Sequence, residues 1–217
     1  MQNDQQPMFQ GSAQQPELNH GGHELFDLHE ILAGTINILD QYMIFRQFIQ
    51  DPALSDILDR QYQFVLSQYN VTVDCFSTGQ KPSEETATYM MKEHTQVTYG
   101  IKPSQPKKPK KPNQSLQDVK DLGITGHMLS LVKSHAGLLS MSALEVTNPV
   151  VRRVLAAQIP NFIEMAYEIF LYQNKHGYYQ VPQLSKQDMT AMTSAFAPLQ
   201  GQVQMPPSKA DQQKPLH

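Results

Sequence analysis

Three residues near the start of the first long apolar stretch carry ligand types that suit a metal ion: His20, His23 and Asp27. His23 and Asp27 are four apart and share one face of a helix. Imidazole with carboxylate suits a divalent transition ion. The competing reading is a solvated helix start, in which Glu24, Asp27 and Glu30 complement the positive end of the helix dipole. That reading is the simpler one, and no cofactor is expected. A helical di-metal centre needs Glu-x-x-His on two helices facing carboxylates from two others. The expected helices hold no Glu-x-x-His; the second offers Asp56 and Asp59 and no His, and the fourth only Glu164 and Glu168 at the edge of its apolar stripe. No nucleophile–base pair has motif support, and no Gly-rich phosphate loop occurs. Cys75 and His94 stand alone. The chain reads as a non-enzyme.

A second set of polar residues falls on apolar helix faces: Thr35 and Arg46, Gln61, His135 and Ser142, and Gln158. Buried polar groups need partners, and a buried charge needs one most. These residues are expected to form a polar layer that fixes helix register, with Arg46 pairing with Glu145 or Glu164.

A third feature is the run KPSQPKKPKKP, residues 102–112. Polyproline II has about 3 residues per turn, so Pro103, Pro106, Pro109 and Pro112 line one face of a rod. Lys107 and Lys110 share a second face, and Lys108 and Lys111 a third. At about 3.1 Å per residue the rod reaches roughly 30 Å, the length of a ~20-residue helix. It is expected to serve as a crossover, either as a solvated spacer or as a docking site for an acidic or Pro-recognising partner. Five lysines within ten residues can touch nucleic acid at low salt. Aromatic interleaving is absent, so no specific nucleic-acid partner is expected.

The elements that position these groups are helices. Leu25, Leu28, Leu32, Leu39, Tyr42 and Ile49 recur at helical spacing from His23 to about Gln50. Asp51-Pro52 starts a second helix, because Asp is a good N-cap and Pro is tolerated at the first helical position. That helix runs to about Phe76, where Thr78-Gly79 and Lys81-Pro82 stop it. Ser83–His94 reads as a short extra helix with Ser83 as N-cap. A third helix ends at Asn148-Pro149, and a fourth runs to His176-Gly177, with a kink expected at Pro160. An offset of 97 residues pairs Pro52 with Pro149, Leu58 with Leu155, Gln61 with Gln158 and Val65 with Phe162. Such self-similarity predicts a duplicated helical hairpin, the first over about 23–78 and the second over about 117–177. Neither hairpin covers its own stripe. The fold class is all-α: a four-helix bundle, ferritin-like, from two duplicated hairpins with a long Lys/Pro-rich crossover. A short-loop up-down bundle is the alternative.

Composition bounds the setting. The chain has 217 residues, a formal net charge of -3 and one cysteine. There is no global basic field, and a lone cysteine suits a reducing compartment. Residues 1–19 and 186–217 are rich in Gln and Pro and poor in large apolar side chains. They are expected to be mostly disordered tails around a body at 20–185. The N-terminus lacks a basic region followed by an apolar one, so no signal peptide is expected. No apolar run approaches the ~20 residues of a membrane helix, so no membrane partner is expected.

The second half resembles the coat F domain of endospore-forming bacteria. The resemblance rests on ITGHMLSLVKSHAGLLSMSALEVTNPVVRRVL, a helix rich in Tyr and Glu, and HGYYQVPQL. The spacing Glu145…Asn148-Pro149…Arg152 and the ending Gly177-Tyr178-Tyr179…Pro182 are its most diagnostic parts. Tyr178 stands where the family often has Trp, and an aromatic is kept. The first half, from HGGHELFDLHEIL through Asp51-Pro52, is similar to the N-terminal half of spore coat F-like proteins. The resemblance covers most of 20–185. It implies a ferritin-like bundle made during sporulation inside the cell and held in the spore coat, with a structural role and no catalytic residues to carry over. The partners it implies are other coat proteins or the chain itself. Gln-rich tails and linker lysines suit isopeptide cross-linking, and Tyr178 and Tyr179 suit dityrosine. Two other readings stay open: a cytosolic helical adaptor that binds a protein through the Lys/Pro linker, and a ferritin-like metal or redox protein.

Overall fold

Asp51-Pro52 and Asn148-Pro149 mark where two long helices begin. The Asp51 carboxylate accepts the Ala53 N–H at 2.8 Å, and the Asn148 side chain accepts the Val150 N–H at 2.8 Å and the Val151 N–H at 3.2 Å. Each side chain satisfies N–H groups that a first helical turn leaves free. In the computed structural model, which describes residues 20–92, 96–101, 109, 111–202 and 204–206, these are α2 (Pro52–Thr78) and α4 (Pro149–Lys175). Each is preceded by a partner, α1 (Gly22–Arg46) and α3 (Asp121–Glu145). α1 and α3 have 25 residues each, and α2 and α4 have 27 each, as a duplicated hairpin requires. Gly79 ends α2 at φ 63°, and Gly177 follows α4 at φ 68°; both values lie in the left-handed region that glycine enters without a Cβ penalty.

The described residues hold no strand, only isolated bridges from Tyr99 and Gly100 to Val181. α1 packs on α2 and α3, and α4 packs on α2 and α3. The core fills with Leu28, Ile31, Ile38 and Tyr42 of α1, Leu54, Leu58 and Val65 of α2, Met128, Val132 and Leu139 of α3, and Leu155, Phe162, Met165 and Ile169 of α4. The pairs at offset 97 are equivalent in burial: Leu58 and Leu155, Gln61 and Gln158, Val65 and Phe162 are all buried. α4 continues through Pro160. No described helix is long and apolar enough to cross a membrane.

End contacts fix the directions. At one end the start of α1 (Glu24) meets the turn at Thr147 and Asn148, and His20 meets Phe76 at the end of α2. At the other end Asp121, which starts α3, meets Gln50 and Asp51, and Tyr172 near the end of α4 meets Asp51. α1 and α4 therefore point one way and α2 and α3 the other. The connection from α2 to α3 must travel the length of the helices, which excludes the short-loop arrangement.

Two expectations are corrected here. Ser83 does not start a helix, and residues 83–92 are not helical. Its N–H and hydroxyl both bond the Asp74 carboxylate, at 2.7 and 3.0 Å, so its capping group is spent backwards. The chain instead runs extended beside α4. Nor does the Lys/Pro run supply the span. Gly100 has already reached Val181 beyond the end of α4, the end at which α3 starts. Of the run itself, Lys107, Lys108 and Lys110 lie outside the described residues, and Lys111 is exposed.

Residues 182–217 form a separate unit. It contains α5 (Lys186–Thr193), capped by Ser185, whose Oγ accepts the Asp188 N–H at 3.1 Å. This helix stands in a stretch expected to be mostly without structure.

Candidate functional site

Two carboxylates are shut inside the helices, and each organises a cluster. Glu24, in the first turn of α1, is 1% exposed. It accepts the Thr147 N–H at 2.9 Å, the Thr147 hydroxyl at 2.6 Å and the Asn148 N–H at 3.1 Å. Its other oxygen lies 2.7 Å from His20 Nδ1, while His20 Nε2 faces the Phe76 carbonyl at 2.8 Å. Burial pulls this carboxyl upward, but the hydrogen bonds from Thr147, Asn148 and His20 outweigh it and hold the group below its ordinary range. At the opposite end Asp121, in the first turn of α3, accepts the Gln50 and Asp51 N–H groups at 3.0 Å each. Glu24 and Asp121 are themselves 97 apart. The acid that opens each hairpin therefore binds the turn of the other hairpin, a reciprocal clasp at the two ends.

Glu168, on α4, is fully buried. Arg60 of α2 reaches it with both terminal guanidinium nitrogens, Nη2 to Oε1 at 2.7 Å and Nη1 to Oε2 at 3.4 Å. The Tyr89 hydroxyl donates to Oε2, the Lys92 N–H to Oε1 at 3.1 Å, and Gln61 Nε2 to Oε2 at 3.4 Å. Gln61 passes the network on: it donates to the Met165 carbonyl at 3.1 Å and accepts the Tyr42 hydroxyl at 2.8 Å. Arg60 also bonds Asp56 at 2.8 Å, and Lys92 Nζ closes on Asp56 at 3.0 Å. Burial, and then the Glu168 charge, pushes the Tyr89 phenol upward; burial does the same to Tyr42. The hydrogen bonds to Glu168 and Asp56 outweigh the cost of burying Arg60 and keep it charged. A carboxylate that binds a guanidinium, a phenol, an amide and a backbone N–H has its lone pairs committed. The arrangement ties α1, α2, α4 and the crossover together.

Two asparagines on α4 extend the tie. Asn161 accepts the Tyr89 N–H at 2.8 Å and donates to the Ala87 carbonyl at 3.0 Å. Asn174 accepts the Thr98 N–H at 2.7 Å and donates to the Thr98 carbonyl at 3.0 Å. Each side-chain amide offers a donor and an acceptor to an extended backbone, as a neighbouring strand would. Asn161, Glu168 and Asn174 follow one another at roughly two-turn intervals, so one flank of α4 guides the crossover along its length.

The residues singled out by sequence are distributed as follows. His23 and Asp27 come together, and Glu145 joins them from the last turn of α3. His20 does not, because Glu24 and Phe76 hold it. Arg46 is corrected: it lies exposed and pairs with Asp59 at 2.7 Å, not with Glu145 or Glu164. Its long side chain at the last turn of α1 carries the guanidinium out to water. Asp51 also accepts the Tyr172 hydroxyl at 2.8 Å. Gln158 donates to the Thr72 hydroxyl at 2.8 Å. Thr35 accepts from His135 at 3.3 Å, and Ser142 is buried. Tyr178 is half-buried against Tyr172 and His176, while Tyr179 is 48% exposed and meets Phe170 edge-on. Cys75 is buried, and burial together with Asp74 pushes its thiol up to about 11, far from a reactive thiolate. Sequence reasoning gave Glu24 only a place at the helix dipole and passed over Asp121, Arg60, Tyr89 and the two asparagines. The 97-residue offset carried the signal for the first two.

Residues 120–182, which take in α3 and α4, match the Coat F domain. The chain is similar to "Spore coat protein F-like protein YhcQ" of Bacillus subtilis (strain 168), at 56% identity over 198 residues, 91% of this chain and 89% of that protein. No solved structure matches it. At that identity and coverage, the chain belongs to the spore coat protein F-like family.

Proposed function

We propose that this chain is a non-enzymatic structural component of the endospore coat, packing against other coat proteins or against copies of itself. The identity to a spore coat F-like protein over nine-tenths of the chain supports the place. The observation that carries the structural role is the use of the buried charges. Glu24 and Glu168, the two fully enclosed carboxylates among the described residues, spend their oxygens on helix ends, Arg60 and the crossover. Helix order and direction support a ferritin-like four-helix bundle whose interior is joined by polar bonds. Exposed apolar side chains on the helices, among them Phe26, Met141, Leu144 and Ile163, supply surface for packing. Tyr179 and Lys111 are accessible for cross-linking, and Tyr178 is less so.

An immunoblot of growing cells, sporulating cells and purified spores boiled in denaturant tests this. The expected result is a signal that begins in sporulation and persists in spores, with species larger than the monomer. A steady signal in growing cells that is absent from spores contradicts the role; monomer alone in spores removes the cross-linking.

A further inference from the structure

We propose that His23, Asp27 and Glu145 form a binding site for a divalent transition-metal ion that joins the first turns of α1 to the last turn of α3. One atom, His23 Nδ1, lies 3.4 Å from Asp27 Oδ2 and 3.2 Å from Glu145 Oε2. All three ligand atoms lie within 4.8 Å of one another. Donors held about 2.1 Å from one ion stand roughly 3.0–3.5 Å apart, the edge of a tetrahedron or octahedron. The two distances at His23 match such an edge and are long for a charge-assisted hydrogen bond.

The second observation concerns Asp27. The residue is 8% exposed as a whole and 12% at its side chain, and its Oδ2 is closed to solvent and bonds to no hydrogen-bond donor. An orphaned carboxylate oxygen is costly, and this one is aimed at the other two ligands. A single N–H on His23 cannot serve both Asp27 and Glu145, and those carboxylates repel each other. A dication satisfies all three. The His23 and Glu145 side chains are 75% and 51% exposed, so an ion can enter, and open coordination positions remain for water. One imidazole with two carboxylates favours zinc or its neighbours over calcium or magnesium. The site differs from a di-metal centre of bundle cores: it lies at a helix end, uses one His, and links α1 to α3.

Titration of the whole, tag-free chain with Co²⁺, followed by visible absorption, tests the site. The wild type is expected to bind with saturation. His23→Ala should abolish the band, and Glu145→Gln should weaken binding at least about tenfold, since loss of a ligand costs no less than loss of an outer-shell partner. Zn²⁺ should raise the melting temperature of the wild type and leave that of His23→Ala unchanged. Both replaced side chains are exposed, so metal-free melting temperatures near the wild type's should accompany these effects. No saturable Co²⁺ binding overturns the proposal. Identical titrations for wild type, His23→Ala and Glu145→Gln also overturn it, because the ion is then held elsewhere.

Discussion

His135 on α3 illustrates how a single buried side chain sets a pH dependence. The Thr35 hydroxyl gives its proton to the Ile31 carbonyl at 2.8 Å, so its oxygen is free to accept from His135 Nε2 at 3.3 Å. His135 Nδ1 faces Gly34, where a Cβ would stand 3.2 Å away, and the ring lies 4.7 Å from that of Phe162. Neutral imidazole suits these neighbours, and burial lowers the group from 6.5 to about 4. The unfolded chain binds a proton in that interval and the folded chain does not. Stability therefore rises with pH from about 4 to 6.5 and is lost on acidification, by about 3 kcal/mol at most. Chemical denaturation at pH 7 and pH 4.5 should show that loss, and His135→Leu should reduce it. An unchanged difference in the variant contradicts the assignment. Glu24, held below its ordinary range, keeps its own contribution until lower pH. At this scale periodicity located His135, Gln61 and Gln158 on buried faces. It failed for Arg46, because a stripe gives no account of a helix end, where a long side chain turns to water. Arg60 escaped because its partner arrives from a helix distant in sequence.

At the scale of elements, helix starts were legible and the crossover was not. Asp-Pro and Asn-Pro encode a cap and a fixed φ within two residues, so local sequence suffices. The paths of 83–92 and 96–100 depend on Asn161, Glu168 and Asn174, some 70 residues further along the chain, which offer an extended backbone the bonds of a strand. Asp74 meanwhile captures Ser83, the residue that would have capped a helix. The account predicts that Asn174→Ala removes a tie worth about 1–2 kcal/mol. Hydrogen exchange at Thr98 and Gly100 should quicken severalfold with little change in α1. Unaltered protection there, or equal loss throughout the chain, contradicts a local guiding role.

Across the four long helices, an offset of 97 residues orders the frame, and departure from it makes the interior. The offset of 97 relates helix lengths, caps, apolar layers and the two acids that clasp opposite turns. The buried ionic network obeys no such symmetry: Val71 and Ala157 stand at the positions equivalent to Glu168 and Arg60. One flank of one hairpin thus acquired the groups that hold the crossover, and the sequence showed the repeat without showing that asymmetry. The most direct test is to strip purified spores of their coat and assay both fractions for the chain. The account predicts the chain in the coat extract and its depletion from the stripped spores. Recovery only from the stripped spores, with none in the coat extract, contradicts a coat component.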